Sequence, residues 1–414
     1  LPSSSKTTVA LFNYGGGMRG LISAHIMSRL EEKTNLRISD MVDIFAGPST
    51  GAILNAAMNV PNPDHPGRPK YRARHLVKFY EREGHRIFPA DRNREFRGII
   101  HDFNNRTLKI SQLNNLVRRG HYDPGYLSRA MGNLFEDTKL SDSLCSLIIP
   151  TYNIEREKLD FNDADTRADQ GIMRTRKNFI SEGGHALWLK NIKTGYPANA
   201  EFHTPQVSLY DAVMASCAAP TYFPCHHFNI RYRNEAKPRS ISGIDGVIFD
   251  NPCISYLGAI RQHVPQDHKL TMLILGTGHT NRSVKKEDWN SYGALGIVDP
   301  VNDLPLINIF FHASESALMD SFASEMGENL FVFNKSMYQT NVKNLSTQID
   351  DASPQNLEAM GHFVEEIMEE QKDSFEEVCH ILVNNRDRKE DEIRHDTLAG
   401  RMKYYMSVIS RKEK

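Results

Sequence analysis

Residues 42–58 read VDIFAGPSTGAILNAAM, and this stretch sets the reading of the whole chain. Apolar residues run into Gly47-Pro48-Ser49-Thr50-Gly51, and an apolar pattern at helical spacing follows. Ser49 stands between two glycines in the order G-x-S-x-G. That spacing suits a sharp turn from a buried strand into a helix, with small residues letting the backbone fold tightly and hold the hydroxyl outward. A helix starting just after Ser49 aims its unpaired N–H groups at the place where an oxyanion would form. Alone the five-residue pattern is weak, because Gly and Ser are common in plain turns. The apolar strand before it and the small-residue helix after it strengthen the case for a nucleophile.

The N-terminal side repeats the same order. Residues 8–13, TVALFN, predict a short buried strand. Tyr14-Gly15-Gly16-Gly17-Met18-Arg19-Gly20 breaks it, and Leu21, Ile22, Ile26 and Leu30 recur at helical spacing. Two strand–loop–helix units in succession predict an α/β fold with a mostly parallel sheet, whose loops at the strand ends build the site. The glycines at 15–20 let backbone N–H groups approach an anion, and the following helix adds its positive end. No G-K-[ST] follows, so this is not a Walker loop; a tight turn without a ligand is the plain alternative. Arg19 places a cation at the loop, or is a solvated residue at a helix start.

Further along, residues 59–74 are rich in Pro, polar and basic residues and predict a surface loop beside the site mouth. Helices are expected over 75–84, 126–135 and 209–216, and strands over 146–152, 185–193 and 269–275, the last running into Gly276-Thr277-Gly278. Residues 244–252, IDGVIFDNP, read as an acid-Gly turn followed by a short strand. Residues 160–177, charged and poor in apolar side chains, read as a loop or flap. Ser353-Pro354 opens a helix whose apolar face runs from Leu357 to Leu382 without interruption.

Composition narrows the class. With 50 basic against 51 acidic side chains in 414 residues, the chain lacks the basic excess of a nucleic-acid binder. At 40% hydrophobic residues it can build a core. Its five cysteines are scattered without a C-x-x-C, which speaks for reduced thiols in a cytosol rather than a disulfide framework or a zinc site. No secretory leader or membrane-spanning run is expected, so the chain is read as cytoplasmic, or as an effector exported without a cleavable signal.

A serine needs a base to lose its proton. Asp245 is one candidate, with Gly246 letting the chain turn so that the carboxylate points inward, although Asp-Gly is also a common turn dipeptide. A Ser-Asp-His order would instead draw on His263, His268 or His279, of which His279 is best placed, just past a strand-end turn. His226 and His227 adjoin Cys225, but adjacent residues of an extended stretch point to opposite faces, so no metal site is read there.

Taken together these landmarks resemble the patatin-like phospholipases, bacterial members included. The resemblance rests on Gly15-Gly16-Gly17-Met18-Arg19-Gly20, on Gly47-Pro48-Ser49-Thr50-Gly51, and on Phe79-Tyr80 through Gly84 to Ile87-Phe88-Pro89. Ala215-Ser216 through Ala219-Pro220 to Phe223-Pro224, Asp245-Gly246 with Asn251-Pro252, Leu275-Gly276-Thr277-Gly278, and Asp350-Asp351-Ala352-Ser353-Pro354 follow in the family's order. It implies a three-layer α/β/α sandwich over residues 7–370, with 371–414 as a charged helical extension. It implies a Ser49–Asp245 dyad that cleaves acyl esters of membrane phospholipids through an acyl-enzyme, without cofactor or metal. Gly16, Gly17 and Met18 would supply the oxyanion hole, and Gly15, Gly20 and Gly246 would shape the loops. Arg19 would hold the loop or a lipid phosphate. Tyr14, Pro48 and Val247 depart from the family pattern without removing a reacting group.

Other readings stay open at this level. One is a Ser-His-Asp esterase for soluble esters; another is a non-catalytic lipid- or nucleotide-binding protein on the same fold. An activating ligand or protein partner and a homo-oligomer are also open. Residues 59–74 and 160–177 are the lid candidates, and 401–414 is read as a membrane-surface segment, a domain contact or a subunit contact.

Overall fold

A computed structural model describes residues 6–90, 122–155, 183–193, 204–220, 222–233, 235–280, 283–296 and 305–412 of the chain. The core is an eight-stranded sheet. Its strands are β1 (Lys6–Asn13), β2 (Ile44–Ala46), β3 (Ser146–Asn153), β4 (His185–Asn191), β5 (His226–Ile230), β6 (Arg239–Asp245), β7 (His268–Leu275) and β8 (Leu330–Phe333). The spatial order is β5-β6-β3-β2-β1-β7-β8, with β4 added on β3. The β1–β2, β2–β3, β1–β7 and β7–β8 pairs are parallel, whereas β4, β5 and β6 join antiparallel.

Alternation along the strands explains the layers. Val9 and Leu11 of β1, with Phe45 of β2, enter one apolar cluster, whereas Ala10 and Phe12, with Ile44 and Ala46, enter another on the opposite face. Both faces are therefore covered, and the strands read as continuous apolar runs. Helices α1 (Gly20–Thr34), α2 (Thr50–Met58), α3 (Ala73–Ile87), α4 (Pro124–Phe135) and α5 (Leu209–Ser216) pack into the larger cluster. On the other face, α7 (Pro305–Met326) contributes Phe322 and Met326; α6 (Lys286–Gly296) precedes it in the chain. The result is the expected mostly parallel α/β fold with helices on both faces.

The C-terminal helices return to the larger face. Ser353 caps α8 (Pro354–Glu370) by accepting from the Asn356 N–H at 3.3 Å. The predicted single helix is interrupted at Gln371, and α9 (Lys372–Lys412) begins after it. The first turns of α9 belong to the same core, since Val378, Cys379 and Leu382 are buried in it. Asn385 donates to the Met41 carbonyl and to the Asp43 carboxylate at 2.7 and 2.8 Å, and Arg388 pairs with Asp43 at 2.5 Å. The extension expected at 371–414 is thus continuous with the core at its start.

One strand falls differently from the sequence reading. It precedes the Asp245-Gly246 turn and does not follow it. The Val247 N–H is taken by the Asp245 carboxylate, and the Phe249 and Asp250 N–H groups both return to the Gly246 carbonyl, so Val247-Ile248-Phe249 cannot enter a ladder. Strands β5 and β8 and helix α7 were not anticipated. Their apolar runs are short or mixed with polar residues. Residues 160–177 lie outside the described residues. The 59–74 loop leaves the C-terminal end of α2, about 13 Å along the helix from Ser49, and supplies no wall of the cavity described below.

Candidate active site

The site lies beyond the C-terminal ends of β1, β2 and β7, as an open α/β sheet dictates. At the end of β2 the chain makes the predicted elbow. Ser49 has φ 56° and ψ −127°, a region that costs a non-glycine residue about 1–3 kcal/mol. Three contacts hold it there. The Ser49 N–H donates to Ser216 Oγ at 3.0 Å, the Gly51 N–H to the Pro48 carbonyl at 2.9 Å, and the Ile53 N–H to the Ser49 carbonyl at 3.2 Å. Ser216 in turn donates to the Pro150 carbonyl at 2.6 Å, tying the elbow to β3.

The two flanking glycines have a shared cause. A Cβ at Gly47 or Gly51 would collide with the Asn13 carbonyl at the end of β1, and Gly47 also sits at φ 143°. Pro48 presents only its carbonyl to the turn and lacks an N–H that would need a partner there.

Asp245 reaches Ser49 through strand register. Ala46, the last residue of β2, pairs with Ile148 of β3, and Asp245, the last residue of β6, pairs with Thr151 on the same flank. Three residues of β3 are about 10 Å, a gap that Gly47 to Ser49 closes. Antiparallel β6 therefore ends facing the end of β2. Gly246 is required because a Cβ there would strike the Pro150 carbonyl. Asp245 is 1% exposed. Burial pushes its carboxyl up to about 7, while the Val247 N–H at 2.9 Å and the Ser49 hydroxyl, both hydrogen-bonding to it, pull the other way.

The glycine loop closes over this pair. A Cβ on Gly15 would lie 3.2 Å from the Ser49 Cβ and 3.1 Å from Val247 Cγ2. Gly17, at φ 57°, turns the loop into α1, and Gly20 leaves room for the buried Thr50 hydroxyl, which bonds to Tyr80. Thr277 Oγ1 donates to the Gly15 carbonyl at 2.9 Å and the Arg19 N–H to the Gly16 carbonyl at 3.1 Å. Met18 departs from its expected place. Its N–H donates to the Ile349 carbonyl at 2.7 Å, whereas the N–H groups of Gly15, Gly16 and Gly17 have no protein acceptor among the described residues. The Met18 side chain instead packs against Gly84 of α3. Loop support comes from Thr277 and Ile349, whereas the Arg19 guanidinium turns to Met337 Sδ at 3.6 Å.

The histidine alternatives disperse. His268 starts β7, about 23 Å along the strand from its functional end. His263 contacts Lys190 at 3.2 Å and is not a cavity residue. His279 lines the cavity, but its Nε2 accepts from the Asn334 amide at 3.1 Å and no hydrogen bond joins it to Ser49 or Asp245. His226 binds Asp211 at 2.9 Å and His227 binds Ser242 at 3.0 Å, and no metal-holding cluster occurs among the described residues.

Two acids were missed. Asp250 is buried among the Ser255 hydroxyl (2.8 Å) and the Trp188 indole N–H (3.2 Å), and burial raises it to about 7. Glu315 accepts from the Tyr14 hydroxyl, and burial raises both groups. Asp250 could have been noticed as the second acid of IDGVIFDNP; Glu315 rides on the unanticipated α7. Asp250, Glu315 and Tyr14 open on the same cavity as Ser49 and Asp245, of about 540 Å3, whose apolar wall includes Ile53, Phe79, Ile87, Phe88, Leu127 and Phe223. That volume suits a ligand with an apolar body and a few fixed polar contacts.

The sequence matches the family model of the patatin-like phospholipases over residues 14–257, which spans both the glycine loop and Asp245. The chain belongs to the patatin-like phospholipase family, a family of lipid acyl hydrolases. It is 26% identical to Patatin-like protein 2 of Arabidopsis thaliana over 324 residues, covering 72% of this chain and 67% of that protein. It is 23% identical to Patatin-16 of Solanum tuberosum over 379 residues, covering 86% and 82%. A solved structure, VipD from Legionella pneumophila, aligns over 87% of this chain and 67% of its own at 12% identity, with a TM-score of 0.27. Among the described residues no helix is long and apolar enough to cross a membrane.

Proposed function

We propose that the chain is a phospholipase A that works through Ser49 and Asp245 at a membrane surface. The observation that carries this reading is the strained Ser49 elbow facing a carboxylate sealed from solvent. Asp245 takes the hydroxyl proton as Ser49 Oγ attacks the acyl carbonyl. The developing oxyanion is held by the N–H groups of Gly16 and Gly17, aided by the positive end of α2. Collapse of the tetrahedral intermediate breaks the ester C–O bond, and the proton on Asp245 passes to the departing lipid alkoxide. This leaves an acyl-enzyme and a lysolipid. Water, deprotonated by Asp245, then attacks the acyl carbon, and Ser49 leaves with that proton as the fatty acid is released. The apolar wall from Ile53 to Leu127 takes the acyl chain.

Incubation with a panel of diacyl phospholipids, followed by mass identification of products, tests this. Paired release of a fatty acid and a lysolipid is expected from the parent chain, with loss of both in Ser49→Ala and Asp245→Asn. Turnover that persists in Ser49→Ala, or products cut at the phosphate, would overturn it.

A further inference from the structure

Glu31, near the end of α1, is 6% exposed, and its carboxylate clamps two separate segments. One oxygen accepts from the Ile38 N–H at 3.1 Å and the other from the Ala73 N–H at 2.9 Å. The residues just before those two N–H groups are Arg37 and Arg72, so a single buried carboxylate brings two arginines side by side. Arg74 and Lys78 stand one turn apart on the exposed side of α3, with His75 next to Arg74.

These cations converge. His75 Nδ1 accepts from the Arg72 N–H at 3.2 Å. Partial burial, then Arg74, Arg37, Lys78 and Arg72, hold the His75 ring below its ordinary value and leave it neutral at pH 7. Burial, Arg72 and Arg74 press Arg37 downwards in the same way, against the pull of Glu31 and Asp40. Other basic residues of these helices are paired: Arg29 with Glu32 at 3.2 Å, Arg82 with Glu83 at 2.7 Å and Arg86 with Glu83 at 3.3 Å. Among the described residues Arg37, Arg72, Arg74 and Lys78 have no such ion pair. Like charges gathered without counter-ions repel one another, so a surface that keeps four of them together suits an anionic partner.

The cluster is remote from the cavity. Helix α1 runs 15 residues from the glycine loop to Thr34, about 21 Å, and α3 returns from Arg72 to Ile87 on the cavity wall. A lipid surface that meets the cavity opening therefore lies at the other end of these helices. The cluster is also short. Asp40 beside Arg37 and the exposed Glu81, one turn beyond Lys78, bound it and would repel a long polyanion such as a nucleic acid.

We propose that Arg37, Arg72, Arg74 and Lys78 form a docking surface for a short acidic segment of a partner protein. The two clamped arginines take carboxylates through their planar forks, and Arg74 and Lys78 take acidic side chains further along the segment. The surface is separate from the reaction assigned to Ser49 and does not depend on it.

Fluorescence anisotropy with a labelled hexaglutamate peptide tests this on the full chain. The parent should bind, with an affinity that falls as salt is added. The triple variant Arg37→Gln, Arg74→Gln, Lys78→Gln should bind about tenfold more weakly or worse, the scale of three exposed ion pairs. Arg74→Gln with Lys78→Gln, both at exposed positions, should already cost about threefold, and keeps the test open if Arg37 proves necessary for folding. Arg82→Gln with Arg86→Gln, whose charges Glu83 already holds, should leave binding within about twofold. No binding by the parent, binding kept within about twofold in the folded double and triple variants, or equal weakening in the Arg82 and Arg86 control overturns the proposal. Flotation with vesicles of phosphatidylcholine and phosphatidylserine examines the other occupant. Vesicle binding that the triple variant loses, by a chain that does not bind the peptide, would assign the surface to a membrane and overturn the protein assignment.

Discussion

Asp245→Asn should destroy activity and stabilise the fold at the same time. The carboxyl titrates near 7 in the folded chain against an ordinary 3.8, because burial disfavours its charged form. The folded state therefore holds a proton that the unfolded chain releases between about pH 4 and 7, so stability falls as pH rises through that window. Above about pH 7 the full penalty is present. Three units correspond to about 4 kcal/mol, an upper scale for a group this deeply buried. Asparagine keeps an oxygen to accept from the Val247 N–H and carries no charge to desolvate. Urea unfolding of parent and variant at pH 8 and pH 5 measures the difference. The variant should be more stable at pH 8, by up to about 4 kcal/mol, with the gap shrinking towards zero near pH 4. Equal stability at pH 8, or a gap independent of pH, would refute the argument that Asp245 is held as a desolvated base.

Gly47→Ala should cost about 1–3 kcal/mol from φ alone, with the collision at the Asn13 carbonyl added; thermal melting and labelling by an active-site probe should both decline. Ser216→Ala removes the acceptor of the Ser49 N–H and should cost about 1–3 kcal/mol in chemical unfolding, with a slower rate of acyl-enzyme formation and little change in lipid binding. The pH profile of kcat/KM on an uncharged chromogenic ester should rise through a single ionisation near 7 and then level off, and its midpoint should stay there in His279→Gln. A midpoint that moves with His279 would restore the histidine triad.

Much of this site was legible because its tight contacts, even between distant residues, demand glycine, and glycine shows in the sequence. Gly47 and Gly51 must be glycine since β1 ends against them, and the small residues that satisfy this contact are the motif itself. The same holds for Gly246 against Pro150. Long-range register was not legible. That Asp245 ends a strand and does not begin one follows from β6 pairing with the far end of β3, a contact between residues distant in sequence. Met18 looked like a third oxyanion donor until Ile349, more than 300 residues on, took its N–H. His312 and Glu315 reach the cavity on a helix that was not foreseen, and Tyr14 departs from the family pattern in order to bind one of them. The Pro-rich loop at 59–74 failed as a lid because α2 carries the chain away from the cavity before that loop begins.

The most direct test of the central claim is to treat the chain with a fluorophosphonate lipid analogue and map the adduct by peptide mass. A single adduct on Ser49 is expected, formed at least about tenfold more slowly in Asp245→Asn, since general-base help is worth about 10²–10⁴. An adduct on another residue, or labelling as fast in Asp245→Asn as in the parent, would contradict it.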